Sequence, residues 1–155
     1  MKDDASQLTW LPFSSDVQKT QLDACSGGKL TIMPATGTGI TDGVMEVVLA
    51  GKVVSGAHRY TVEGWVDDAV EAMITGNLNQ WDHLMYVLPT SVDFRGAAAY
   101  AHRNSYKLVF MGRYASYMGV QIHELGHNYN MRHSGFGTAT YKDHTGLMGT
   151  FSCEP

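Results

Sequence analysis

The sequence predicts an α+β domain: a twisted mixed sheet with helices packed on one side. Three observations carry that expectation. Short β-rich runs bounded by Gly, Pro and polar turns recur along the chain. One segment, from Val62 to Ile74, has strong helical periodicity. A second helical segment, residues 115–129, is followed by a Gly-, Ser- and Thr-rich tail in which no regular element is expected.

In chain order, Ser14-Ser15-Asp16 suits the start of a helix running to about Cys25, with Gly27-Gly28 ending it. Residues 29–33 read as a strand stopped by Pro34, and residues 44–49 as a second strand. In the periodic helix, Val62, Trp65, Val66, Ala69, Val70, Met73 and Ile74 fall on one face, with Gly76 as C-terminal cap. Residues 83–88, 97–102 and 106–111 read as strands, the last two joined by the turn Arg103-Asn104-Ser105.

Bulk properties narrow the function. A chain of 155 residues, 44% hydrophobic and 17% charged, is expected to form a single domain over its whole length. The net charge of −4 with scattered basic residues shows neither a nucleic-acid footprint nor a membrane-binding patch. No apolar run reaches transmembrane length, and none follows Met1-Lys2-Asp3-Asp4 as a signal peptide would require. Cys25 and Cys153 are far apart and lack metal-site spacing. One disulfide and two unpaired thiols both remain open.

The chemistry concentrates in His123-Glu124-Leu125-Gly126-His127, with His133 six residues further on. Helix positions four apart share a face, so His123 and His127 can aim at one ion while Glu124 stands at the edge of that face. Six residues advance a helix by roughly 240°, so His133 joins them only if the helix stops first. Asn130 occupies the place where the chain needs a left-handed residue, a conformation Asn tolerates next best after Gly. Three neutral imidazoles leave a fourth position open, the pattern of a catalytic zinc site. Glu124 is then expected to act as general base toward the attacking water. His58, His83 and His144 are expected to be structural or exposed.

These residues match the metzincin signature H-E-x-x-H-x-x-G-x-x-H, with Asn130 in place of its glycine. Within that class the chain resembles the gametolysin peptidases. The likeness lies in H-E-x-G-H-N, the His-Ser-Gly at His133, the turn from Tyr141 to Gly149, and the softer match Cys25-Ser26-x-Gly28-Lys29-Leu30 with Pro34-Ala35. The resemblance implies a metzincin-type, zincin-like catalytic domain and a zinc-dependent endopeptidase. It implies one zinc ion, polypeptide substrates, and secretion toward extracellular or cell-wall proteins; a monomer is expected. Met148 would lie in the methionine turn as a hydrophobic floor. Ala99 and Tyr100 would lie on the cleft-lining edge strand and contact substrate, and His102 at its end would touch substrate in the same way. The resemblance also implies a pro-segment and a C-terminal helix. Since the residues given run from Met1 to seven past Met148, a trimmed domain or a minimal member is expected. The competing readings are a catalytically silent zincin-fold binding module and a closed structural zinc site with Asp143 as fourth ligand. The presence of Glu124 argues against the first.

Overall fold

The computed structural model describes residues 7–8, 19–20, 23–24, 26–49 and 53–149. Two strands, β1 (Gln7–Leu8) and β2 (Val47–Val48), form a small antiparallel ladder. The main sheet contains β3 (Leu84–Leu88), β4 (Ala99–Ala101) and β5 (Lys107–Met111), in the order β3-β5-β4. β3 runs parallel to β5 and β4 antiparallel to it, so the sheet is mixed. Helix α1 is Arg59–Met73 and helix α2 is Met118–Asn128, the latter preceded by a 3-10 turn over Gly112–Ser116. Among the described residues no helix is long and apolar enough to cross a membrane.

The helices lie on opposite faces of the sheet rather than on one side. Val62, Val66 and Val70 of α1 pack with Tyr86, Leu88 and Val109. Val120 and Leu125 of α2 pack with Val87, Leu108 and Phe110. Alternate residues of one strand therefore feed two cores. The cause is in the strand composition. Leu84-Met85-Tyr86-Val87-Leu88 and Leu108-Val109-Phe110 are apolar on both faces, and such strands need cover on both sides.

Three other expectations change. Residues 29–33 form no strand; Ile32 instead packs onto the α2-side core. The second β-run pairs only at Val47–Val48, with a bridge between Thr41 and Val44. Helix α1 is capped at Ile74, not at Gly76, and leaves Met73 45% exposed, off the buried face. Of the expected first helix, residues 19–20, 23–24 and 26 are helical; the rest, and both cysteines, fall outside the described residues.

A polar cluster joins α1 to the sheet. Glu63 is only 5% exposed. It accepts hydrogen bonds from Tyr100 Oη at 2.7 Å, His102 Nε2 at 2.9 Å and Lys107 Nζ at 3.5 Å. Asp67, one turn on, accepts from Tyr86 Oη at 2.7 Å and from Lys107 Nζ. A buried carboxylate with three donors is a satisfied one, and loss of any partner exposes the desolvation cost. Burial, reinforced by Asp67, pushes the Tyr86 phenol well above its ordinary range; burial and Glu63 do the same to Tyr100. Burial pulls the Lys107 ammonium down, but Asp67 and Glu63 outweigh it and the net shift is upward.

A raised folded pKa means the native state holds its proton more tightly than the unfolded chain. The stability from these phenols is therefore complete below the ordinary tyrosine value of 10.0 and is lost as pH climbs above it. Two of the eight tyrosines are expected to resist ionisation in an absorbance titration until the protein unfolds. A single phenolate step for all eight, with the fold intact, would contradict this.

Candidate metal centre

Helix α2 places His123 and His127 one turn apart, with ring centroids 4.9 Å from each other. The helix then stops in a capping motif. Met131 N–H donates to Gly126 O at 2.9 Å and Asn130 N–H to His127 O at 2.8 Å, while Asn130 takes φ 67°. This six-to-one and five-to-two pairing is the Schellman arrangement, with Asn in the left-handed position that usually holds Gly. The chain reverses there and brings His133 back to within 4.6 Å of the His127 ring, centroid to centroid. One nitrogen from each of His123, His127 and His133 lies within 4.8 Å of the others.

Two of the rings are fixed from behind. His123 Nδ1 donates to Leu147 O at 2.7 Å, and His127 Nδ1 donates to Met131 O at 2.9 Å. Each bond selects the tautomer whose Nε2 lone pair is available. His127 Nε2 and His133 Nε2 stand 3.0 Å apart. Burial lowers the pKa of His123 and of His133, favouring the neutral form a metal ion needs. Nitrogens sharing one tetrahedral zinc at ~2.0–2.1 Å are about 3.4 Å apart. The 3.0 Å pair and the 4.8 Å limit bracket that spacing, so the donor set fits such an ion.

Glu124 is 6% exposed, and its Oε2 is buried without a hydrogen-bond partner among the described residues. Burial alone lifts its carboxyl to about 7. A divalent cation in the trio would pull it back toward the carboxylate. Asp143 is not in the cluster: its Oδ1 accepts from Thr145 N at 2.9 Å and from Thr145 Oγ1 at 2.6 Å, bonds that hold its pKa below the usual value. The expectation of a fourth, closing ligand at Asp143 is thus not met among the described residues.

The segment after His133 returns to α2. Ser134 N–H donates to Met148 O at 2.8 Å and Gly149 N–H to Gly146 O at 3.0 Å. A Cβ placed on Gly126 would fall 2.5 Å from Met148 Sδ, so the glycine is what lets Met148 lie against the helix. The same C-terminal turn of α2 is tied to the sheet. Asn128 is buried; its Nδ2 donates to His102 O at 3.0 Å and Lys107 O at 2.9 Å, and its Oδ1 accepts from His83 Nδ1 at 3.0 Å. Asn104 N–H, in the β4–β5 turn, donates to His127 O at 3.0 Å.

Ala99 and Tyr100 sit on β4, the edge strand of the sheet. Ala99 packs on the α2-side core, while the Tyr100 ring turns to α1 and bonds Glu63. His102 is taken up by Glu63, and His83 by Asn128 and Tyr129. His58 is the N-cap residue of α1, and His144 is exposed. A cavity of about 750 Å³ reaches Asn128 and Tyr129 but none of the three histidines. Sequence reasoning missed the carbonyls of Leu147 and Met131, the Asn128 tie and Tyr141, whose ring lies 4.1 Å from that of His133. Only Asn128 and Gly126 carried a signal, as fixed letters inside H-E-x-G-H-N.

The small α+β domain with its mixed sheet thus brings together two histidines of one helix and a third after the helix breaks, a trio that could hold one metal ion. The model of the gametolysin peptidase M11 family matches residues 14–154, and the chain belongs to that family of peptidases. No curated protein and no solved structure gives a match.

Proposed function

We propose that the protein is a zinc-dependent endopeptidase with His123, His127 and His133 as ligands and Glu124 as general base. The observation that carries this reading is the convergence of three imidazoles whose backbone anchors, at His123 and His127, turn the lone pairs inward. Zinc at this trio would supply Lewis acidity, polarising the scissile carbonyl and acidifying the attacking water. Glu124 takes a proton from that water and delivers it to the nitrogen of the leaving amine, so the carboxylate is regenerated as the C–N bond breaks. Burial raises the proton affinity of this carboxylate while a cation at the trio would lower it, and the two together keep it able to accept a proton and return it.

Met148 against Gly126, with the neighbouring Leu147 carbonyl on His123, supports reading residues 141–149 as the methionine turn. β4 has no partner on its outer edge among the described residues, which suits an extended substrate pairing through the backbone at Ala99 and Tyr100. The reading extends to extracellular or cell-wall polypeptides as substrates and to a secreted monomer.

The purified protein is expected to cleave casein, to stop with a chelator and to recover when zinc is added back. Cleavage indifferent to chelation would sink the reading.

A further inference from the structure

Two of the three ligands have a backbone carbonyl behind Nδ1; His133 does not. Among the described residues its Nδ1 has no hydrogen-bond partner, and its ring is set by other rings. It stacks on His123 at 5.2 Å and 23° and lies against Tyr141 at 4.1 Å and 38°. Histidines that hold metal ions almost always have an outer partner that fixes ring orientation, and removal of such a partner weakens metal binding by roughly 10–100-fold. We propose that Tyr141 is the positioning residue of His133, its ring face doing for the third ligand what the carbonyls of Leu147 and Met131 do for the other two. The inference rests on the zinc-site reading above.

The topology supports the assignment. His133 lies just past the Schellman turn and is only partly buried. Nothing from α2 or the sheet is bonded to its ring apart from the two helix histidines. Tyr141 comes from the segment that the bonds Phe136–Ala139 and Ser134–Met148 fold back toward the site. An aromatic face restrains the tilt of an imidazole without competing for its lone pair, so the ring stays aimed while Nε2 remains free to coordinate.

The working part is then the ring, not the hydroxyl. Competition with a chromophoric chelator measures zinc affinity, and the visible spectrum of the cobalt-loaded protein reports ligand geometry. Tyr141→Phe should match wild type in both. Tyr141→Leu, which keeps apolar bulk without a ring, and Tyr141→Ala should bind zinc about tenfold more weakly, with an altered cobalt spectrum and unchanged far-ultraviolet circular dichroism. Wild-type affinity in Tyr141→Leu and Tyr141→Ala overturns the proposal. So does a Tyr141→Phe variant as weak as Tyr141→Ala, which would hand the role to the hydroxyl. If wild type itself binds no zinc, the parent reading fails with it; if wild type binds and only these variants behave otherwise than stated, the parent reading stands.

Discussion

Glu124→Gln keeps its zinc, loses about 10²–10⁴-fold in kcat, and yet is the more stable protein once the metal is stripped. The loss of rate follows from the missing base: the amide is nearly isosteric but takes no proton from water. The gain in stability follows from burial. In the metal-free fold the Glu124 carboxyl is lifted from 4.5 to about 7, so the native state favours its protonated form. A raised folded value contributes stability that is complete below the unfolded pKa and fades as pH rises through the folded one. On the alkaline side of 7 the metal-free wild type bears a buried carboxylate whose Oε2 has no hydrogen-bond partner among the described residues, at a cost of about 3 kcal/mol. Glutamine has no such ionisation. Thermal melts of chelated wild type and variant should therefore diverge as pH rises from 4.5 toward 7, run at a constant separation above 7, and converge when zinc offsets the carboxylate. Undiminished casein cleavage by Glu124→Gln would remove Glu124 from the mechanism.

Asn128→Ala is expected to cost about 2–4 kcal/mol of folding stability, because three hydrogen bonds go at once in a buried place. Lys107 O keeps a second donor in His102 N–H, but the bonds to His102 O and His83 Nδ1 have no replacement of the same shape. Asn128→Asp does not repair the defect, since a carboxylate would face two carbonyl oxygens. Zinc affinity should fall in parallel, because the His127 backbone sits beside this tie. Urea unfolding followed by circular dichroism measures the effect. A loss of about 1 kcal/mol or less would mean that Asn128 is replaceable by solvent.

The candidate site was legible because its geometry is local. Two histidines four apart, a glutamate beside the first and a third histidine out of helical phase require a turn before His133, and the chain does turn, at Asn130. The three main strands and both principal helices were legible from periodicity. The placement of the helices was not read correctly, although the doubly apolar β3 and β5 held the information: one-sided cover would leave Val87 and Phe110, or Tyr86 and Val109, in water. The Glu63 cluster was hidden for a different reason. Its partners Tyr100, His102 and Lys107 lie some forty residues away in sequence, and only the register of β4 against β5 brings them to α1. Residues 29–33 look like a strand by composition yet pair with nothing described, since pairing depends on a neighbour that composition does not name.

The compactness of the ligand set in sequence has a thermodynamic consequence. All three donors fall within eleven residues, so a metal ion closes only a short loop and removes little entropy from the unfolded chain. A denatured chain with three imidazoles so close together still binds zinc appreciably. By mass action only the difference between native and denatured affinities adds to stability. Zinc should therefore raise the melting temperature by less than its native affinity implies, with a gain that levels off once the free-metal concentration passes the denatured chain's own dissociation constant. A melting temperature that climbs without levelling would show instead that the unfolded chain does not hold the ion.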